Sequence, residues 1–212
     1  MRCDKKDLLL YGVTDRSWLG DRTLAQQVEA SLRGGATMIQ LREKHMDRGS
    51  ILAQALELRE LCGRYGVPLI LNDDAELAQA AGADGVHVGQ SDMEAGRVRA
   101  LLGEDKLIGV SARTVEQALA AQAAGADYLG VGAMFPTGTK QDTRPVSYDT
   151  LKAICAAVDI PVVAIGGIGA GNVAELAGSG IAGVAVVSAL YAQPDVEAAT
   201  RSLRAQVERV VG

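Results

Sequence analysis

Ala124-Gly125-Ala126-Asp127-Tyr128-Leu129-Gly130-Val131-Gly132 reads as the end of a helix, a sharp turn and a short strand. Glycine just past a helix end can take the left-handed conformation that turns the chain back, and the apolar run after it suits a buried strand. The same grammar occurs at Gly34-Gly35-Ala36-Thr37 and Ala81-Gly82-Ala83-Asp84, and a related Gly180-Ile181-Ala182-Gly183 precedes the last apolar run. These copies mark successive pairs of β/α units. Strands are predicted at Leu8–Val13, Thr37–Leu41, Pro68–Leu71, Gly85–Val88, Leu107–Val110, Tyr128–Gly132, Pro161–Ile165 and Gly183–Val187. Between them lie stretches with apolar residues at helical spacing, such as Leu52, Ala55, Leu56, Leu58 and Leu61. Eight strands each followed by a helix predict an α/β fold, a single closed (β/α)8 barrel. An open doubly wound sheet, which more often has five or six strands, is the competing architecture. No linker or low-complexity segment interrupts residues 1–212, so one catalytic domain is expected.

Composition agrees. Of 212 residues, 48% are hydrophobic but only 3% aromatic, so the core is expected to consist of Val, Ile, Leu and Ala. Such side chains suit parallel strands covered by helices. The formal charge is −5 and no basic run is present, which argues against nucleic acid as a partner. Cys3, Cys62 and Cys155 are odd in number and scattered, so a disulfide framework or zinc site is not expected. The opening Met1–Asp7 leads only into the short apolar run Leu8–Tyr11, too short for a signal segment, and no later stretch reaches the length of a membrane span. A cytoplasmic protein without membrane contact is expected.

Several segments could carry chemistry. Gln40, Arg42 and Lys44 alternate at the end of the second strand and so share one face. If that face lines the barrel mouth, an amide, a guanidinium and an ammonium converge, the last two suited to phosphate oxygens. An ordinary strand end carrying an Arg–Glu surface pair is equally compatible with the spacing. Asn72-Asp73-Asp74 follows the third strand, where Asn and Asp are standard helix caps. Asp92 lies in Ser91-Asp92-Met93-Glu94, a capping-box pattern. Two carboxylates after neighbouring strands could also hold Mg²⁺, with substrate phosphates completing the shell. Ser111 could donate to a phosphate oxygen, although Ser111 or Thr114 could equally cap the fifth helix. His87 reads as a hydrogen-bonded packing residue and His45 as an exposed one.

The longest irregular stretch, Met134–Val146, follows the sixth strand and holds Pro136-Thr137-Gly138-Thr139-Lys140. Its hydroxyls, glycine and ammonium suit a lid over an anion. Ala164-Ile165-Gly166-Gly167-Ile168 and Val186-Val187-Ser188 end strands seven and eight. Loops at those positions form the recurrent phosphate site of (β/α)8 barrels, where glycine lets backbone N–H groups approach the anion.

Taken in order, these segments resemble thiamine-phosphate synthases (thiamine-phosphate pyrophosphorylases) over nearly the whole chain, a family with the TIM-barrel architecture. The motifs carrying the resemblance are Gln40–Lys44, Asn72-Asp73, Gly89-Gln90-x-Asp92, Gly109-Val110-Ser111, Pro136-Thr137-x-Thr139-Lys140, Ile165-Gly166-Gly167-Ile168 and Val187-Ser188. The resemblance implies a Mg²⁺-assisted transferase. Hydroxymethylpyrimidine diphosphate would lose pyrophosphate through a carbocation-like centre, and the ring nitrogen of a thiazole phosphate, plain or carboxylated, would attack it. Gln40, Arg42, Lys44, Asn72, Ser111 and Lys140 would contact the diphosphate substrate, with Leu41 and Glu43 in the same segment. Arg42, Lys44, Ser111 and Lys140 would carry the catalytic role. Asp73 and Asp92 would hold Mg²⁺, and Thr137, Gly138, Thr139, Gly167, Val187 and Ser188 the thiazole phosphate. The implied partners are these small molecules, and a homo-oligomer is compatible with the reading. One departure stands out: many members carry a histidine where this chain has Arg113. That loss bears on thiazole tautomerases of the same fold, which use a histidine near this segment as acid and base. A non-catalytic barrel that binds a phosphorylated metabolite is the third reading; it should have lost metal or diphosphate residues, and none is missing.

Overall fold

The computed structural model describes residues 3–137 and 145–212. Eight parallel strands close into a barrel in simple sequence order, with β1 paired to both β2 and β8. The strands are β1 Leu10–Val13, β2 Met38–Leu41, β3 Leu69–Asn72, β4 Gly85–Val88, β5 Leu107–Ala112, β6 Tyr128–Gly132, β7 Val162–Ile165 and β8 Gly183–Val186. The open sheet is thereby excluded.

The helices are α1 Leu24–Gly34, α2 Arg48–Tyr65, α3 Ala75–Ala81, α4 Ala95–Leu102, α5 Val115–Ala123, α6 Tyr148–Ala157, α7 Ser188–Tyr191 and α8 Val196–Val211. Their distribution departs from one helix per strand. Only a 3-10 turn, Val173–Leu176, follows β7, whereas both α7 and α8 follow β8. The first strand also begins later than predicted. Asp4 accepts from the Lys6 N–H and starts a 3-10 turn over Lys5–Leu8, so Leu8 plugs the barrel floor instead of joining β1.

Strand alternation divides the core into two layers. Leu10, Ile39, Leu41, Leu69, Leu71, Val86, Ile108, Val110, Leu129, Val131 and Val184 face outward and pack with the helices. Tyr11, Val13, Met38, Ile70, Leu107, Tyr128, Val163 and Ala185 point inward. Each fully buried aliphatic side chain stabilises the fold by roughly 1.5–3 kcal/mol. Two tyrosines at the centre depart from the expected purely aliphatic interior, and their rings meet edge to face at 6.0 Å.

The Gly-Ala repeat now has a structural reason. Gly35, Gly82 and Gly125 all take the predicted left-handed turn, with φ of 97°, 61° and 92°. The residue two places on then holds an N–H at the start of the preceding strand. Thr37 Oγ1 accepts from Leu10 N, Asp84 Oδ2 from Leu69 N and Asp127 Oδ2 from Ile108 N. Asp127 also pairs with the largely buried Arg99 at 2.6 Å. The barrel floor is therefore fastened by side chains, and the opposite rim remains available for chemistry.

Candidate functional site

The C-terminal mouth of the barrel opens into a cavity lined by Gln40, Arg42, Asn72, Ser111, Thr137, Gly167, Val187 and Ser188 from the predicted set, with Tyr11, His87 and Arg113 beside them. A wider cleft adjoins it and shares Arg42, Thr137, Gly167 and Ser188, adding Glu43 and Lys44 together with Arg16, Trp18 and Asn172. The alternation proposed for β2 holds in part: Gln40 and Arg42 face the mouth and Leu41 is buried in the outer core and lines neither space, but β2 ends at Leu41 and Lys44 lines only the wider cleft, beside Glu43. Leu41 can offer a substrate only its backbone. Buried Thr14 fixes this strand end, its N–H donating to Gln40 O and its hydroxyl accepting from Arg42 N at 3.0 Å.

Glu43 does form a pair with arginine, but not on an open surface. Its carboxylate is 2.7 Å from Arg16 Nε, and its side chain is only 5% exposed. The contact is off-line for a hydrogen bond and acts as a close ion pair. Burial raises the Glu43 pKa above the ordinary carboxylate value, and Arg16 offsets part of that rise.

The run Asn72-Asp73-Asp74 divides its work. Asn72 ends β3 and lines the cavity, and Asp74 caps α3 by accepting from Leu77 N at 2.8 Å. Between them Asp73 sits at φ 65°, left-handed, the one such non-glycine residue among those described. Its N–H donates to His87 O, which ties the rim of β3 to β4. Since Asp74 already caps the helix, Asp73 is spared that role, and backbone strain of this kind concentrates at functional positions.

At Asp92 the capping-box expectation is corrected. Helix α4 starts at Ala95 with Glu94 at its N-cap and no side-chain cap bond, so Ser91 does not initiate it. Asp92 instead accepts from Gly89 N at 2.7 Å and closes the turn after β4. Asp73 and Asp92 thus follow adjacent strands at the rim and line neither space. Among the described residues no group of three or more His, Cys, Asp or Glu gathers as a metal cage. Two hard carboxylates beside the mouth suit Mg²⁺, which commonly keeps water and takes only one or two protein carboxylates.

On β5 the ambiguity at Ser111 is resolved. Thr114 caps α5 by accepting from Gln117 N, and the Gln117 side chain accepts from Arg113 N. Ser111 is consequently not a cap; it lines the mouth and lies 3.0 Å from His87 Nε2. Arg113 adds a guanidinium to the cavity where the resemblance leads one to expect imidazole.

Across the mouth the backbone dominates. Gly166 and Gly167 have φ of 96° and 67°. A Cβ on Gly167 would lie 2.5 Å from Pro136 O and 2.7 Å from Phe135 O, so both the conformation and the space demand glycine. Asn172 holds this loop, donating to Gly167 O and accepting from Gly169 N, both at 2.9 Å. Ser188 begins the short helix α7, in which Leu190 N and Tyr191 N both donate to Val187 O. The loop after β6 is anchored at both ends, Phe135 N donating to Gly166 O and Val146 N to Ala133 O. Gly138, Thr139 and Lys140 lie outside the described residues.

Sequence reasoning missed Tyr11, Thr14, Tyr128 and Asn172, and set His87 aside as packing. None belongs to a short motif. Burial pushes the Tyr11 and Tyr128 phenols well above their ordinary range, so both stay protonated as hydroxyls.

A barrel whose C-terminal mouth joins an arginine-bearing strand end to a glycine loop has the arrangement in which (β/α)8 enzymes commonly hold phosphorylated small molecules. The family model for thiamine monophosphate synthase matches residues 10–190. A thiamine-phosphate synthase of Ruminiclostridium cellulolyticum is 48% identical over 94% of this chain and 95% of that protein. One from Chloroflexus aurantiacus is 50% identical over 95% and 93%. The solved thiamine phosphate pyrophosphorylase of Pyrococcus furiosus superposes with a TM-score of 0.90 at 38% identity, over 98% of this chain and 99% of that one. This chain belongs to the thiamine monophosphate synthase family and is a transferase of thiamine biosynthesis.

Proposed function

We propose that this chain joins hydroxymethylpyrimidine diphosphate to a thiazole phosphate, releasing pyrophosphate and thiamine phosphate. The observation that carries this reading is the division of the mouth. Cationic and polar side chains of β2, β3 and β5 face a glycine-built anion loop at the ends of β7 and β8, with room between them. Two phosphorylated partners can then meet over the barrel.

Arg42 and Lys44, together with Lys140, would neutralise the diphosphate. The bond from the pyrimidine methylene carbon to the diphosphate oxygen breaks, its electron pair leaving with pyrophosphate. The thiazole ring nitrogen then supplies the pair for the new C–N bond. Such a dissociative step needs charge stabilisation on the leaving group more than a general base. Gln40 and Asn72 would orient the pyrimidine, and Ser111 would donate to a diphosphate oxygen. Thr137, Gly138, Thr139, Gly167, Val187 and Ser188 would seat the thiazole phosphate. Asp73 and Asp92 would hold Mg²⁺, which when bound supplies further positive charge against the diphosphate. The histidine lining the cavity has one ring nitrogen on Tyr128 and the other on Ser111, so it is held within the barrel and not offered to a substrate as a tautomerase would require.

The test is to incubate the purified chain with Mg²⁺ and both substrates and to follow thiamine phosphate by oxidation to fluorescent thiochrome. Turnover abolished by EDTA and restored by Mg²⁺ is expected. A folded protein that makes no product overturns the synthase reading, and product unaffected by EDTA removes the metal from it.

A further inference from the structure

An unbroken line of polar side chains crosses the barrel interior. Gln40 Nε2 donates to Tyr11 Oη at 2.6 Å, Tyr11 Oη lies 3.0 Å from Tyr128 Oη, and Tyr128 Oη lies 3.2 Å from His87 Nδ1. His87 Nε2 then lies 3.0 Å from Ser111 Oγ. Tyr11 and Tyr128 are 1% and 0% exposed, so water does not complete their hydrogen bonding. Two glycines keep the line open. A side chain on Gly109 would collide with the Tyr128 ring and with His87 Nδ1, and one on Gly130 would lie 3.0 Å from His87 Cε1.

Proton counting gives the line a direction. A phenol carries one proton, and a neutral imidazole has one donor and one acceptor nitrogen. Tyr11 accepts from Gln40, and among the described residues Tyr128 is the other hydrogen-bond partner of its hydroxyl, so the Tyr11 proton is directed to Tyr128. Tyr128 accepts that bond and passes its proton to His87 Nδ1. Nδ1 is then the acceptor, the ring proton resides on Nε2, and Nε2–H donates to Ser111 Oγ.

We propose that Tyr128 is a positioning residue that holds His87 as the Nε2–H tautomer, so that Ser111 faces the cavity as a hydrogen-bond donor while Gln40 presents its carboxamide oxygen as an acceptor. Combined with the function proposed above, on which this consequence rests, one buried line sets both ends of the diphosphate substrate's site. The donor hydroxyl suits an anionic phosphate oxygen, and the acceptor suits a ring amine.

The experiment is two-bond ¹H–¹⁵N spectroscopy of the intact, ligand-free protein at about pH 8, where a free imidazole is neutral. The chain has 2 histidines, so His45→Gln assigns both signals. Expected is a single Nε2–H tautomer for His87, replaced by a tautomer mixture in Tyr128→Phe and retained in Ser111→Ala. A wild-type Nδ1–H form, an averaged wild-type ring, a Tyr128→Phe spectrum like wild type or a Ser111→Ala switch to Nδ1–H each overturns the proposal. Should Tyr128→Phe not fold, the wild-type and Ser111→Ala spectra still decide the direction. In the thiochrome assay, Tyr128→Phe should lower kcat about tenfold, the effect of one lost hydrogen bond, with the KM for thiazole phosphate within about twofold. Unchanged kcat would refute the positioning role. A wild-type protein without turnover would refute the synthase reading while leaving the tautomer result to stand.

Discussion

The two sides of the barrel mouth are built from different materials. From β2 to β5 the site is made of side chains standing on alternate strand positions: Gln40, Arg42, Asn72 and Ser111. At the ends of β7 and β8 it is made of backbone, with Gly166 and Gly167 in left-handed conformations and held by Asn172. On the function proposed, the difference would let a diphosphate and a monophosphate be recognised by separate means. Charged side chains suit a leaving group whose charge grows during the reaction, whereas fixed N–H groups suit an anion that stays unchanged.

That contrast can be broken most severely at Arg42. Arg42→Ala should lower turnover about 100- to 1000-fold, the range seen when one preorganised charge-stabilising donor is lost. Its thiazole phosphate KM should stay near wild type, and a parallel loss in both would show that the two halves do not act separately. Asp73→Ala should cost about 100-fold in turnover, with the loss growing at low Mg²⁺. Its melting temperature should hardly move, because Asp74 caps α3 without it. Rates equal to wild type at saturating Mg²⁺ would remove Asp73 from the site.

Gly167→Ala attacks the other half. The clash with Pro136 O and Phe135 O should raise the thiazole phosphate KM about tenfold and cost about 1–3 kcal/mol of stability. The pyrimidine diphosphate KM should not follow it; if it does, the glycine loop serves both substrates. The smallest effect belongs to Glu43. Burial raises its folded pKa, so the folded chain binds the proton more tightly than the unfolded one, and stability falls as pH rises through that window. The melting temperature of wild type relative to Glu43→Gln should therefore fall as pH rises above the ordinary carboxylate value of about 4. A difference between wild type and variant that instead grows with pH would mean that the Arg16 pairing outweighs burial.

Much of the architecture was legible because its signals are local. Gly35, Gly82 and Gly125 announce helix ends, and the predicted strand ends lie within a residue or two of those observed. The late start of β1, at Leu10 instead of Leu8, arose because Asp4 captures the backbone for a 3-10 turn and an apolar run does not reveal that competition. The sequence left Asn72-Asp73-Asp74 divided between caps and ligands, and the structure assigns the cap to Asp74 alone. At Ser91–Glu94 the pattern pointed to a capping box, yet Asp92 bonds back to Gly89 and the helix starts later.

By itself the sequence determined the alternation of eight apolar runs with amphipathic stretches, the glycine turns and the ordered motifs that place the chain in its family. Each depends on residues within a few positions of one another. Only the tertiary structure decided that His87 and two tyrosines form a line across the barrel. Tyr11 and Tyr128 are 117 positions apart and meet solely because the strands close into a ring, and their buried hydroxyls must then find partners in one another.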